Sequence, residues 1–179
     1  MLAFEPEEEN FEALLDMSRR FGCEGALVAR RALLADDDAT MYLELNADNP
    51  ADHRIGKSGV PTPAVRLDSV MRELGWPRVG LIKIDVQGAE CMVLRGAEET
   101  IRRGQPALLV EVDDRALRRF NSTAQALQGT LWSAGYTMHE TGADALAAPI
   151  DAGRAAEVMS RLGYADFVFL PEAVSGGSR

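Results

Sequence analysis

Apolar and polar positions along the chain alternate between two periods. Leu81-Ile82-Lys83-Ile84-Asp85-Val86 has four apolar residues in six, the mark of a buried strand. It then turns polar over Gln87-Gly88-Ala89-Glu90 as a helix begins. That helix carries Val93, Leu94, Ala97 and Ile101, and Gly104 and Pro106 end it. Glu98 with Arg102, and Glu99 with Arg103, form i,i+4 pairs on its wet face. Ala107 to Val112 reads as a second buried strand.

Upstream, Met1 to Phe4 reads as the stub of a strand. Pro6 suits the first helical position, and Phe11, Leu14, Leu15 and Ser18 follow helical spacing up to a stop at Gly22. Glu7, Glu8 and Glu9 in the first turn and Arg19 and Arg20 in the last complement the helix dipole. Glu24 to Leu34 predicts a strand closing on Ala35-Asp36-Asp37-Asp38. Thr40 to Leu45 alternates Met41, Leu43 and Leu45 with polar neighbours, as one strand of a small hairpin does. Asn46 to Pro63 is polar and rich in Gly and Pro, a long loop of the kind that carries function. Asp68 predicts the cap of a short helix bearing Val70, Met71 and Leu74 and stopped by Gly75. Ser122 predicts the cap of another bearing Leu127, Leu131 and Trp132, closed by Gly135. Tyr136–Glu140 and Phe167–Leu170 are the last strands, Pro171 stops the final one, and residues 173–179 read as a frayed tail. Strands alternating with helices at this spacing predict an α/β fold with a parallel, doubly wound sheet in one domain over residues 1–172.

Composition narrows the function. The 179 residues carry a net charge of −9 with acids and bases interspersed, which argues against nucleic acid as a partner and for a small or neutral substrate. No apolar run reaches the ~18 residues of a membrane span, and no basic region precedes an apolar core as in a signal peptide. Cys23 and Cys91 form no CxxC pair and read as reduced thiols of a cytoplasmic protein. The sequence leaves the oligomeric state open.

Candidate chemistry sits at strand ends, where open α/β sheets bind ligands. Asp85 ends a strand, and Lys83, two residues earlier, shares its face. A Lys–Asp pair favours an ionised carboxylate, and a purely structural pair is equally compatible with the spacing. Glu90 lies one turn into the next helix and Glu111 ends the neighbouring strand, so these acids together suit a polyol, a sugar amine or a metal. No His at metal-ligand spacing supports the metal. Glu5 follows a strand and precedes a helix, where an acid accepts from the two ribose hydroxyls of a nucleoside or caps the helix. His53 lies in the long loop, within reach of a substrate or simply solvated. Gly56-Lys57-Ser58 lacks the first glycine and the strand of a phosphate-binding loop, and His139-Glu140 lacks a second histidine at Ala143.

The run Ile82-Lys83-Ile84-Asp85-Val86-Gln87-Gly88-Ala89-Glu90, then Leu94-Arg95-Gly96-Ala97, then the Pro106-led strand ending near Glu111, resembles the signature of the FkbM family of methyltransferases. Gln87 stands where that signature usually has Glu. Ala3-Phe4-Glu5-Pro6 is similar to the family's second strand. The resemblance implies a Rossmann-like, mostly parallel sheet with an antiparallel final strand, and a chain truncated before the family's first strand and glycine-rich turn. It implies S-adenosylmethionine as cofactor and a hydroxyl of a sugar or secondary metabolite as methyl acceptor. Asp85 would then take the hydroxyl proton and offset the sulfonium charge, Glu5 would hold the ribose, and Asp36 the adenine amino group unless it belongs to a solvated turn. With the glycine-rich turn absent, weak or undetectable binding of the cofactor by residues 1–179 is expected. The alternatives are a methyltransferase-fold remnant without catalysis and a nicotinamide-dependent oxidoreductase.

Overall fold

The computed structural model describes residues 1–50, 52–141 and 148–172. The contacts divide the chain into two units: Met1–Gly75 with Met92–Ala97, and Trp76–Cys91 with Glu98–Arg179. The tail expected over 173–179 lies outside the described residues.

The first unit opens with strand β1 (Leu2–Phe4), helix α1 (Glu8–Arg20) and strand β2 (Val28–Arg30), and β1 and β2 pair in parallel. Helix α1 starts later than Pro6 suggested, because Glu7 takes the cap and its carboxylate accepts the Asn10 N–H at 2.7 Å. The single strand expected over Glu24–Leu34 is broken. A 3₁₀ turn occupies Glu24–Ala26, and the Ala32 N–H turns back to the Arg30 carbonyl at 3.1 Å. That three-residue turn sends strand β3 (Leu33–Leu34) into a different sheet.

That sheet adds β4 (Ala39–Glu44), β5 (Arg54–Gly56) and β6 (Val60–Val65), in the order β3-β6-β4-β5. The hairpin strand at 39–44 was legible, but the expected loop Asn46–Pro63 contains β5 and most of β6. Pro61 and Pro63 disguise β6. They are tolerated because β3 covers only Ala64 and Val65, so over the prolines β6 has β4 alone as a neighbour. Leu33, Ala35, Leu43 and Ala64 form the buried cluster, with Met41, Ile55 and Met92 against it. Helix α2 (Leu67–Glu73) follows. Asp68 is not its cap but is buried in its first turn, 3.6 Å from the Arg66 guanidinium. Asp38 holds that helix start instead, accepting from the Arg66 N–H at 2.7 Å and the Ser69 hydroxyl at 2.6 Å.

The second unit is a five-stranded sheet. Strand β7 is Leu81–Ile84, followed by helix α3 (Glu90–Gly96), whose residues from Met92 on belong to the first unit, helix α4 (Glu98–Gly104) and strand β8 (Ala107–Val112). The one helix expected here is two, because the Ala97 N–H closes back on Leu94 at 3.2 Å and ends α3. Helices α5 (Asp114–Arg119) and α6 (Ala124–Ser133), strands β9 (Tyr136–Glu140) and β10 (Pro149–Ile150), helix α7 (Ala152–Leu162) and strand β11 (Ala165–Pro171) complete it. Thr123, not Ser122, caps α6; the Ser122 hydroxyl sits 3.0 Å from the Cys91 thiol.

The sheet order is β10-β9-β11-β8-β7. β7 and β8 are parallel, and β11 is antiparallel to both β8 and β9, so β7, β8 and β9 run one way. The α/β class and the antiparallel last strand are as expected. The parallel pairings are β1–β2, β3–β6 and β7–β8, and the other pairings are antiparallel. Strand β8 buries alternate residues, Leu108, Val110 and Val112, with Phe167, Phe169 and Met138 of the neighbouring strands. Each such side chain contributes about 1.5–3 kcal/mol by leaving water. The opposite face, with Lys83, Leu109 and Glu111, is the less covered one.

Candidate active site

Three strands of the second unit carry carboxyl groups into one row. Ile84 pairs with Val110, so Asp85, the next residue, comes alongside Glu111. β11 sets Asp166 opposite Glu111. Residues in register share a face, and this is the less covered one. Lys83 lies on that face too, and its Nζ forms an ion pair with Asp85 Oδ2 at 2.9 Å, the pair the spacing suggested. Asp85 holds the lysine ammonium above its ordinary range. Both partners remain solvent-exposed, so the pair orients Asp85 more than it stabilises the fold.

The turn from β7 to α3 is left-handed at two successive residues, Gln87 at φ 55° and Gly88 at φ 105°. Gly88 is required there, since a Cβ would strike the Ala116 carbonyl oxygen. Glu90 ties the turn. Its Oε1 accepts the Gly88 N–H at 3.0 Å and the Val86 N–H at 3.4 Å. Glu90 is 2% exposed, and its Oε2 is buried with no hydrogen-bond partner among the described residues. Burial pushes its carboxyl above the usual range, against the pull of those backbone donors. Glu90, expected among the catalytic groups, also fixes the turn through these two bonds.

Glu111 is the titrating member of the row. Burial first, then the negative charges of Asp85, Glu90 and Asp166, push its carboxyl up to about 7. Such a group exchanges a proton near neutral pH, as an acid–base catalyst must. The amide of Gln87 reaches across, 3.4 Å from Asp85 Oδ1 and 3.3 Å from Glu111 Oε2. Among the described residues, no group of three or more His, Cys, Asp and Glu side chains is arranged to hold a metal ion.

The first unit holds the other expected residues. Glu5 is partly buried, and its Oε1 accepts the Glu7 N–H at 2.9 Å. Burial raises its carboxyl. Its Oε2 has no partner among the described residues, which leaves an acceptor for a ribose hydroxyl. Asp36 lies beyond β3 and is engaged by Arg95 at 2.7 Å, so an adenine amino group would have to share it. His53 uses Nδ1 to accept the Asn46 N–H at 3.0 Å, which pins its own loop. A cavity of about 510 Å³ in the second unit, lined by residues that include Asp114, Arg115, Gln128 and Met159, contains none of the expected site residues.

Asp85, Lys83, Glu90 and Glu111, expected from strand ends and spacing, lie together around the β7–α3 turn. Gln87 and Asp166 were missed in any functional role. Gln87 stood out only as a departure from a signature, and the pairing of Asp166 depends on the register of β11, which periodicity does not carry.

Comparison with known proteins settles the family. The model of the methyltransferase FkbM domain matches residues 1–138. The chain belongs to that family. The crystal structure of methyltransferase FkbM from Methylobacillus flagellatus superposes on 94% of this chain at a TM-score of 0.60 and 14% identity, covering 36% of that protein. A 91-residue stretch, 51% of the chain, is 34% identical to AMB antimetabolite synthetase AmbE of Pseudomonas aeruginosa. It covers 4% of that protein. The chain thus spans a minor part of each. No helix among the described residues of this FkbM-domain chain is long and apolar enough to cross a membrane.

Proposed function

We propose that this FkbM-domain chain is an S-adenosylmethionine-dependent methyltransferase acting on a hydroxyl of a sugar or other small molecule in the cytoplasm. The observation that carries the reading is the Asp85–Glu111 pair at the ends of two parallel strands, where α/β sheets present catalytic groups to ligands. The cofactor, when bound, supplies a methyl group activated on a cationic sulfonium. The residues present suit it. Within the second unit the acid row favours a nearby cation. Asp85 accepts the proton of the acceptor hydroxyl, Lys83 orients Asp85, and Glu90 fixes the turn behind it. The acid row and the net charge of −9 disfavour nucleic acid as substrate.

Nuclear magnetic resonance titration of residues 1–179 with millimolar S-adenosylhomocysteine, and separately with NAD, tests the reading. Saturable shifts at Asp85 and its turn with the first ligand and none with NAD are expected. Shifts with NAD alone, or with neither, overturn it.

A further inference from the structure

Gln87 is held in a costly conformation. A long side chain seldom adopts φ 55°, and such residues persist only where their surroundings over-determine them. Here the surroundings are Glu90, which ties down the backbone on both sides of Gln87, and Gly88, which lets the turn press against Ala116. The result places one NH₂ group between two carboxylates, with Nε2 3.4 Å from Asp85 and 3.3 Å from Glu111. An amide nitrogen has two N–H bonds and donates one to each. Glu, the residue expected here from the family resemblance, has no donor when ionised and would repel both neighbours.

We propose that Gln87 is the positioning residue of this site: its amide clamps Asp85 and Glu111 into one unit that shares a proton. The role rests on the methyltransferase reading. A proton accepted by Asp85 passes to Glu111. The O–H bond on Asp85 breaks, that on Glu111 forms, and the negative charge returns to Asp85. The charged groups facing the pair are Lys83 on β7, Glu90 on α3 and Asp166 on β11. Of these only Lys83 is cationic, and it contacts Asp85 rather than Glu111. That asymmetry makes Glu111 the member that keeps the proton.

Carboxyl ¹³C titration of the full chain reads the clamp without substrate. In the wild type the Asp85 Cγ resonance should inflect at the Glu111 midpoint. Gln87→Asn retains a residue that tolerates the left-handed turn but is one methylene too short to span the pair, so that shared inflection should vanish. Gln87→Glu, which matches the length of Gln87, should move the Glu111 midpoint upward. Curves unchanged in Gln87→Asn overturn the proposal, as does an unmoved Glu111 midpoint in Gln87→Glu. Should one variant fail to fold, the other decides. A shared inflection in a protein that ignores S-adenosylhomocysteine keeps the clamp and rejects the methyltransferase. The converse result keeps the methyltransferase and rejects the clamp.

Discussion

Asp85 differs from the other acids of its row in having a cation against it, and this decides the division of labour. Lys83 at 2.9 Å keeps one carboxylate oxygen oriented, while Gln87 addresses the other. Replacing Asp85 with Asn keeps nearly the same shape and removes the ability to accept a proton. In an assay of S-adenosylhomocysteine release over a panel of hydroxylated acceptors, kcat should fall by roughly 10²–10⁴-fold. The binding of S-adenosylhomocysteine should hold, because this neutral thioether carries no sulfonium charge for Asp85 to offset. Unchanged turnover would reduce Asp85 to a structural partner of Lys83. Cofactor affinity lost together with turnover would place Asp85 in binding instead of proton transfer.

Two helix glycines show how packing overrides propensity. Gly96 closes α3, and a Cβ there would lie inside the van der Waals surface of the Ala35 carbonyl oxygen. Gly129 lies within α6 with nothing near its missing Cβ. In a helix, Ala normally gains about 1 kcal/mol over Gly. Gly129→Ala should therefore raise the urea midpoint. Gly96→Ala should lower it, by about 1–3 kcal/mol of overpacking, because the obstacle is backbone and does not swing away. A higher midpoint for Gly96→Ala would refute the close approach. The same logic explains what could be read from the sequence. β8 and β9 were legible to the residue because their alternation is dictated by one buried face. β6 was not, because two prolines obscure a strand whose neighbour on that side is missing. Helix α7 was not, because its apolar stripe of Ala152, Ala155, Ala156 and Met159 is made mostly of small residues, of which Ala155 is the buried one. In the site, Asp85 and Glu111 were legible because they end adjacent strands. Gln87 as a donor and Asp166 were not, because each acquires its role only through a turn geometry or a register between distant segments.

At the scale of the whole molecule, acids outnumber bases by 28 to 19, and their environments pull stability in opposite directions with pH. Asp38 and Asp114 are held below the usual value of 3.8, Asp38 chiefly by the Ser69 hydroxyl and Asp114 chiefly by the Ala124 N–H. Their contribution is present above that value and is lost as pH falls through their lower folded values. Glu5, Glu90 and Glu111 are pushed above 4.5, mainly by burial, Glu111 to about 7. Their contribution is present below 4.5 and is lost as pH rises through their folded values, because the unfolded chain releases those protons first. Self-repulsion from the net charge of −9 at neutral pH adds to that loss. The melting temperature should therefore peak at about pH 4–5, below the neutral plateau common to proteins whose acids are mostly stabilised as anions. Glu111→Gln should flatten the decline between pH 5 and 7, restoring on the order of 1–2 kcal/mol at neutral pH once solvent screening of a partly exposed group is allowed for. Added salt should raise the melting temperature at pH 7 and do little at the peak, where the net charge is small. A melting temperature that rises steadily to pH 7, or a Glu111→Gln curve parallel to the wild type, would mean that Glu111 is ionised in the folded protein and that the row does not share a proton.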